Sequence, residues 1–178
     1  MRPSVINRSL LLCCLALSVP SFAWGPVAEG GANITLPQNL NGVTFTPLVG
    51  PVLRAGMEIG ELINNALVFE FTQSSGTGSS MGQTLQIGVQ TFAGRYTFSV
   101  DFLKKEGFTP SLGAGIAVGV VNLRVADQGT QRLYLAFHVV AGARYTFTNG
   151  LGARLDLALS TYGGFVGLQP TAGVSWRF

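Results

Sequence analysis

The sequence predicts an all-β chain, an antiparallel transmembrane β-barrel of eight strands, on three observations. Apolar residues make up 47% of the 178 residues and charged ones only 11%, a balance unusual for a soluble domain. Beyond the N-terminal leader no segment approaches the run of about 20 apolar residues that a membrane helix needs. The apolar residues instead alternate with polar ones at a period of two, over stretches long enough to cross a bilayer at a tilt. One face of such a strand suits lipid and the other suits a polar interior.

Taken in order, residues 1–23 read as a signal peptide. Arg2 and Arg8 supply the positive start, residues 9–19 an apolar run too short to span a bilayer, and Pro20 a break. Ser21-Phe22-Ala23 is a small-x-small site, so cleavage is expected between Ala23 and Trp24. A retained anchor would need a longer run, and lipidation at Cys13 or Cys14 would need a small residue where Leu12 stands. Both cysteines leave with the leader, so the exported domain, residues 24–178, is expected to have no disulfide, thiol nucleophile or cysteine metal site. Loss of Arg2 and Arg8 also lowers the net charge from +3 to +1, which leaves no electrostatic case for nucleic acid.

Residues 24–41 read either as an N-terminal extension or as part of the first strand, which then lies within residues 28–46. Next, Leu53, Ala55, Met57, Ile59 and Ile63 alternate with Arg54, Gly56, Glu58 and Gly60, Asn64-Asn65 is expected to turn the chain, and Leu67, Phe69 and Phe71 face out opposite Val68, Glu70 and Thr72. In residues 84–102 the apolar face shifts by one, from Leu85, Ile87 and Val89 to Phe92, Tyr96, Phe98, Val100 and Phe102. That stretch is either one long bulged strand or two short ones turned at Ala93-Gly94. A similar shift separates Phe108, Leu112, Ile116 and Val118 from Val121, Leu123 and Val125, and reads as a bulge or as the strand leaving the membrane.

The last three strands are the clearest. Leu133, Leu135, Phe137, Val139, Ala141, Ala143, Tyr145 and Phe147 face out against Tyr134, Ala136, His138, Val140, Gly142, Arg144 and Thr146. Thr148-Asn149-Gly150 is a tight turn, with Asn-Gly supplying positive φ. Leu151, Ala153, Leu155, Leu157 and Leu159 then alternate with Gly152, Arg154, Asp156 and Ala158, and a strand running from Val166 to Phe178 closes the chain. Even parity favours eight strands. The one-strand reading of residues 84–102 is preferred, because it puts short turns at 64–65, 103–107 and 148–150 on one side and longer loops at 76–82, 126–131 and 161–164 on the other.

Thr171, Gly173, Trp176 and Phe178 fill the places of the C-terminal assembly signal of Gram-negative outer-membrane proteins. With the leader, the Phe108-Thr-Pro-Ser-Leu-Gly-Ala-Gly-Ile-Ala-Val-Gly119 strand and the Trp176-Arg177-Phe178 end, the chain resembles the small eight-stranded outer-membrane barrels of the OmpA/OmpX type, particularly the stand-alone outer membrane β-barrel domain proteins. The resemblance implies residence in the Gram-negative outer membrane. The partners it implies are outer-membrane lipid and lipopolysaccharide, the barrel-assembly machinery and an envelope protein; no cofactor is implied. Because no peptidoglycan-binding domain is expected after the barrel, the peptidoglycan tether of the full-length OmpA group is not carried over.

Alternation turns Arg54, Glu58, Glu70, Arg95, His138, Arg144, Arg154, Asp156 and Arg177 inward. Charges of both signs in so narrow a lumen are expected to pair and plug it; the rival reading is a gated, narrow conduit for ions or small solutes. A lipid A modifying enzyme is a third reading, but the His-x-Ser pattern of the deacylases fails, since His138 is followed by Val139-Val140. Gly78-Ser-Ser80-Met-Gly82 matches a nucleophile-elbow pattern without the helix that such an elbow opens. Gly113, Gly115 and Gly119 recur within strand alternation, as a crowded inner wall would require, and a lone histidine does not make a metal site. The expectation is a non-catalytic barrel with a structural or partner-docking role. Tyr145, Phe147, Trp176 and Phe178 are expected in its periplasmic aromatic girdle.

Overall fold

The computed structural model describes residues 24–37, 44–60, 63–80, 82–101, 107–125, 128–162 and 165–177. Its strands are β1 (Trp24–Pro37), β2 (Thr44–Phe45), β3 (Leu48–Ile59), β4 (Ile63–Ser80), β5 (Gln83–Val100), β6 (Gly107–Val125), β7 (Gln128–Thr146), β8 (Leu151–Tyr162) and β9 (Phe165–Arg177). The long strands pair antiparallel with their neighbours in chain order, and β1 pairs with both β3 and β9. Eight strands thus close on themselves, which is how an all-β chain satisfies every backbone group inside a bilayer. The two-residue β2 continues the β3 edge of β4, with Thr44 opposite Ser79 and Phe45 opposite Gly78.

Burial follows strand parity. On β5, Phe92 is 63% exposed and the next residue, Ala93, only 5%, so one face meets lipid and the other the interior. The outer face carries Leu53, Phe69, Leu112, Phe137, Leu155, Val174 and Trp176, all exposed. The inner wall is crowded as expected: a Cβ on Gly113 would sit 2.7 Å from Thr97 Cγ2, and one on Gly119 would fall within the Tyr134 ring.

Strand lengths are uneven around the ring. β4 and β5 have 18 residues each, about 60 Å along the strand at about 3.3 Å per residue and about 42 Å in height at a tilt near 45°. β8 has 12 residues and on the same reckoning rises about 28 Å, little more than the roughly 25 Å apolar band of such barrels. With β6 and β7 at 19 residues each, β4 to β7 form a four-stranded extension at the end opposite the termini. Asymmetric length therefore builds a wall where sequence reading placed loops.

Several expectations are corrected. Residues 24–37 are the first strand, which starts at Trp24 rather than at residue 28, and no part of that stretch is an extension. Asn64 and Asn65 are not a turn: they pair with Ser99 and Phe98 inside β4, and the chain reverses earlier, beside Gly60, whose φ of 124° suits only glycine. Neither one-residue shift is a bulge, because the β5–β6 register runs unbroken from Leu85 opposite Val125 to Ser99 opposite Ser111. Ile87, Val89, Val121 and Leu123 simply face inward, in the part of the strands beyond the lipid band. The connections expected at 76–82, 126–131 and 161–164 shrink because Gly76 to Ser80, Gln128 to Gln131, and Thr161 and Tyr162 are strand. The turn at 148–150 is present, with the Leu151 amide donating to Asn149 Oδ1 at 3.1 Å. The turn expected at 103–107 lies outside the described residues except for Gly107, which opens β6. The leader, with Ala23, and Phe178 also lie outside them.

Candidate functional site: a charged and capped lumen

Nearest the terminal end of the barrel, Glu58 on β3 meets Arg144 on β7, with Nη1 to Oε1 at 2.6 Å and Nη2 to Oε2 at 3.3 Å. In the ring order these strands are four apart in either direction, so this forked pair crosses the lumen at its full diameter. Both residues are buried, and a two-pronged guanidinium–carboxylate contact is among the stronger charge-assisted arrangements.

The next layer is a connected network. Arg54 donates through Nε to Glu70 at 2.5 Å and through Nη1 to Asp156 at 2.6 Å and Glu29 at 3.1 Å. Arg154 donates through Nη1 to Glu29 at 2.8 Å and through Nε to Asp156 at 2.9 Å. Glu70 extends the network to Arg95, whose Nη2 lies 2.6 Å from Oε1. Six side chains from β1, β3, β4, β5 and β8 are thus linked, and with Glu58 and Arg144 the paired residues are four arginines and four carboxylates. Neutrality matters here, since an uncompensated charge in so dry a lumen would cost several kcal/mol. Gly142, opposite Asp156 across β7 and β8, leaves the space that the Asp156 carboxylate occupies.

Beyond the network the lumen becomes progressively less polar. His138 on β7 stands opposite Ser160 on β8, with Nδ1 to Oγ at 2.6 Å, both side chains buried. The Tyr134 hydroxyl and Thr91 Oγ1 are 2.9 Å apart, above a small cluster of Ala93, Ala117 and Ala136. At the far end Leu48, Ile87 and Val89 form an apolar cap, joined by Phe45, Val121 and Leu123. Thr46 ties this cap to β4: its amide donates to the Thr77 carbonyl at 2.8 Å, and the Thr77 amide returns a bond to Thr46 Oγ1 at 3.0 Å.

Arg54, Glu58, Glu70, Arg95, Arg144, Arg154 and Asp156 therefore meet in the lumen, while His138 stands apart with Ser160. The Arg177 side chain lies outside the described residues, although its backbone pairs with Val27. Sequence reading missed Glu29, which bridges two arginines. Its flanking outward positions, Ala28, Gly30 and Ala32, are too small to reveal alternation. It missed Ser160 as the histidine's partner because the two come together only across a strand pair. Of the remaining C-terminal positions, Thr171 is buried in the lumen, Gly173 abuts the Gly30 carbonyl and Trp176 lies on the lipid face. Among the described residues no cluster of His, Cys, Asp or Glu has metal-holding geometry.

An apolar exterior around a closed ring, with a network of four arginines and four carboxylates inside, defines a small integral β-barrel of the outer-membrane class. The chain belongs to the outer membrane protein beta-barrel domain family, whose model matches residues 9–178. Its fold is similar to that of OprG from Pseudomonas aeruginosa, with a TM-score of 0.64 at 10% identity over 88% of this chain and 97% of that one. It is also similar to Ail, the attachment invasion locus protein of Yersinia pestis, with a TM-score of 0.62 at 11% identity over 87% and 98%. Neisserial surface protein A gives a TM-score of 0.59 at 12% identity over 87% and 97%. No curated protein sequence matches the chain.

Proposed function

We propose that the protein is a non-conducting, non-catalytic scaffold of the outer membrane, exported by a leader removed after Ala23. In this reading the termini end of the barrel faces the periplasm and the β4–β7 extension faces outward. The observation that carries it is the lumen: a neutral ion network spans it in two layers, and Leu48, Ile87, Val89 and Phe45 cap it. A water path through the barrel would have to part the charges and displace the cap together, and either alone would leave the other barrier in place. The burial of His138 and Ser160 supports a structural histidine, since a lipid-modifying nucleophile must reach an acyl chain from the bilayer or loop side. Any envelope partner would be met through the extension, because β1 commits the N-terminal segment to the ring.

Planar-bilayer recording of the refolded barrel tests this reading. Wild type should be silent, and Arg154→Glu, which sets three carboxylates against one another, should not produce steady steps while the cap remains. Reproducible conductance of the wild type would make the lumen a pore. A changed acyl pattern in the lipid A mass spectrum of cells expressing the protein would instead make it an enzyme.

A further inference from the structure

Arg54 uses only two of its three nitrogens in the ion network. Nε faces Glu70 and Nη1 faces Asp156 and Glu29, but the buried Nη2 has no hydrogen-bond partner. A buried donor left unmatched costs more than a made bond returns. Arg54 also lines a small lumenal cavity with Glu29, Val52, Arg154 and Thr171, all buried, and with Gly30 and Gly173. The room in it for the centre of a water-sized body is about 10 Å³, close to the about 10–15 Å³ that one water needs and too little for two.

The lining says what such a space takes. Arg54 brings an unused donor. Both Glu29 oxygens already accept from an arginine, yet each keeps a further lone pair, and the Thr171 hydroxyl can accept as well. A cavity of this size holds water when its walls are polar and stays dry when they are apolar. The Glu29 carboxylate disfavours an anion there, and the two guanidiniums disfavour a metal cation. Glycine keeps the space open. Gly31 and Gly173 stand opposite one another where β1 meets β9, both on the inward parity, and a Cβ on Gly173 would sit 2.8 Å from the Gly30 carbonyl oxygen. Backbones that close leave no side chain to fill the gap between Glu29 and Thr171.

We propose that closure of the ring traps a single structural water in this cavity, accepting from Arg54 Nη2 and donating to Glu29 and Thr171. Three hydrogen bonds are the usual number for a buried water, and here they complete the surroundings of Arg54. The partners come from three strands, Glu29 from β1, Arg54 from β3 and Thr171 from β9. The site is therefore assembled only once β1 has met both neighbours, and its water leaves only when they part. Thr171 acquires a place in the folded barrel that is separate from the assembly signal.

High-resolution crystals of the refolded barrel, grown in sodium bromide, test the site and its occupant together. One density peak without anomalous signal, within hydrogen-bond distance of Arg54 Nη2, is the expected result. A bromide signal at that position would overturn water as the occupant, and a cavity without density would overturn the site. Crystals of Thr171→Val, which keeps the shape and removes one acceptor, should show the peak lost or displaced; an unchanged peak would overturn the part given to Thr171. In lipid nanodiscs the Val52 methyls should show an Overhauser effect to water with the sign of a long-held molecule. The opposite sign, that of rapidly exchanging water, would overturn the trapping. Val52→Ile pushes a methyl into the cavity and should lower the urea midpoint in lipid vesicles, because Arg54 Nη2 then loses its acceptor. A raised midpoint would mean that the methyl had filled a dry space, and would overturn the proposal.

Discussion

Glu58 and Arg144 stand on opposite walls of the ring, and their contact is the simplest place to ask what the lumen charges contribute. Burying an ion pair recovers little net energy, because desolvation offsets attraction, but removing one partner leaves an unpaired charge in a dry site. Glu58→Leu, which strips Arg144 of its carboxylate, should therefore destabilise the barrel by about 3–5 kcal/mol, Arg144→Met should cost less because Glu58 has a further interaction, and the double replacement should cost less than the sum of the two. Urea unfolding in lipid vesicles measures all three. Additive losses would show that the two side chains act independently. The members of the network other than Glu29 were legible in sequence because alternation decides which face a residue takes. Their pairing was not, since Arg54 and Asp156 meet at a separation of 102 residues.

At the scale of strands, the lipid-facing side was the readable one: a bilayer demands apolar groups at every second position, and Phe108 to Val118 or Leu133 to Phe147 meet that demand without exception. The ends of the long strands were harder to read. Ile87, Val89, Val121 and Leu123 are apolar because they pack into the cap, and a face that turns apolar inside looks from sequence like a slipped register. Asn64-Asn65 misled in the same way, as turn-forming residues used within a strand. The boundary between band and extension makes its own prediction. Phe92→Arg places a charge in lipid and should cost about 2–4 kcal/mol, while Thr84→Arg, on the same face of β5 eight residues toward the tip, should cost about 0–1 kcal/mol. Equal penalties at the two sites would mean that the bilayer reaches further up β5 than the residue chemistry implies.

For the molecule as a whole, the assembly signal proposed for the last strand makes a prediction about insertion. Phe178 ends the sequence next to β9, and Thr171, Gly173 and Trp176 precede it on that strand at the spacing of an assembly signal. Phe178→Ser should lower the amount of folded, heat-modifiable barrel in the outer membrane while leaving the protein refolded in detergent unchanged in melting behaviour. Undiminished membrane levels would remove the assembly role.

The position of Glu29 couples the electrostatics of the interior to the seam between the first and last strands. Its carboxylate is shared by Arg54 and Arg154, which sit on β3 and β8, and it rides on β1, the strand that joins β3 to β9. While β1 is loose, Arg54 and Arg154 share Asp156 without the second carboxylate that balances them. Charge balance is then a property of the sealed ring and of no smaller piece. Fraying at the seam is opposed by the ladder bonds it breaks and, in addition, by the exposed cations it leaves behind, so the barrel should open as one unit.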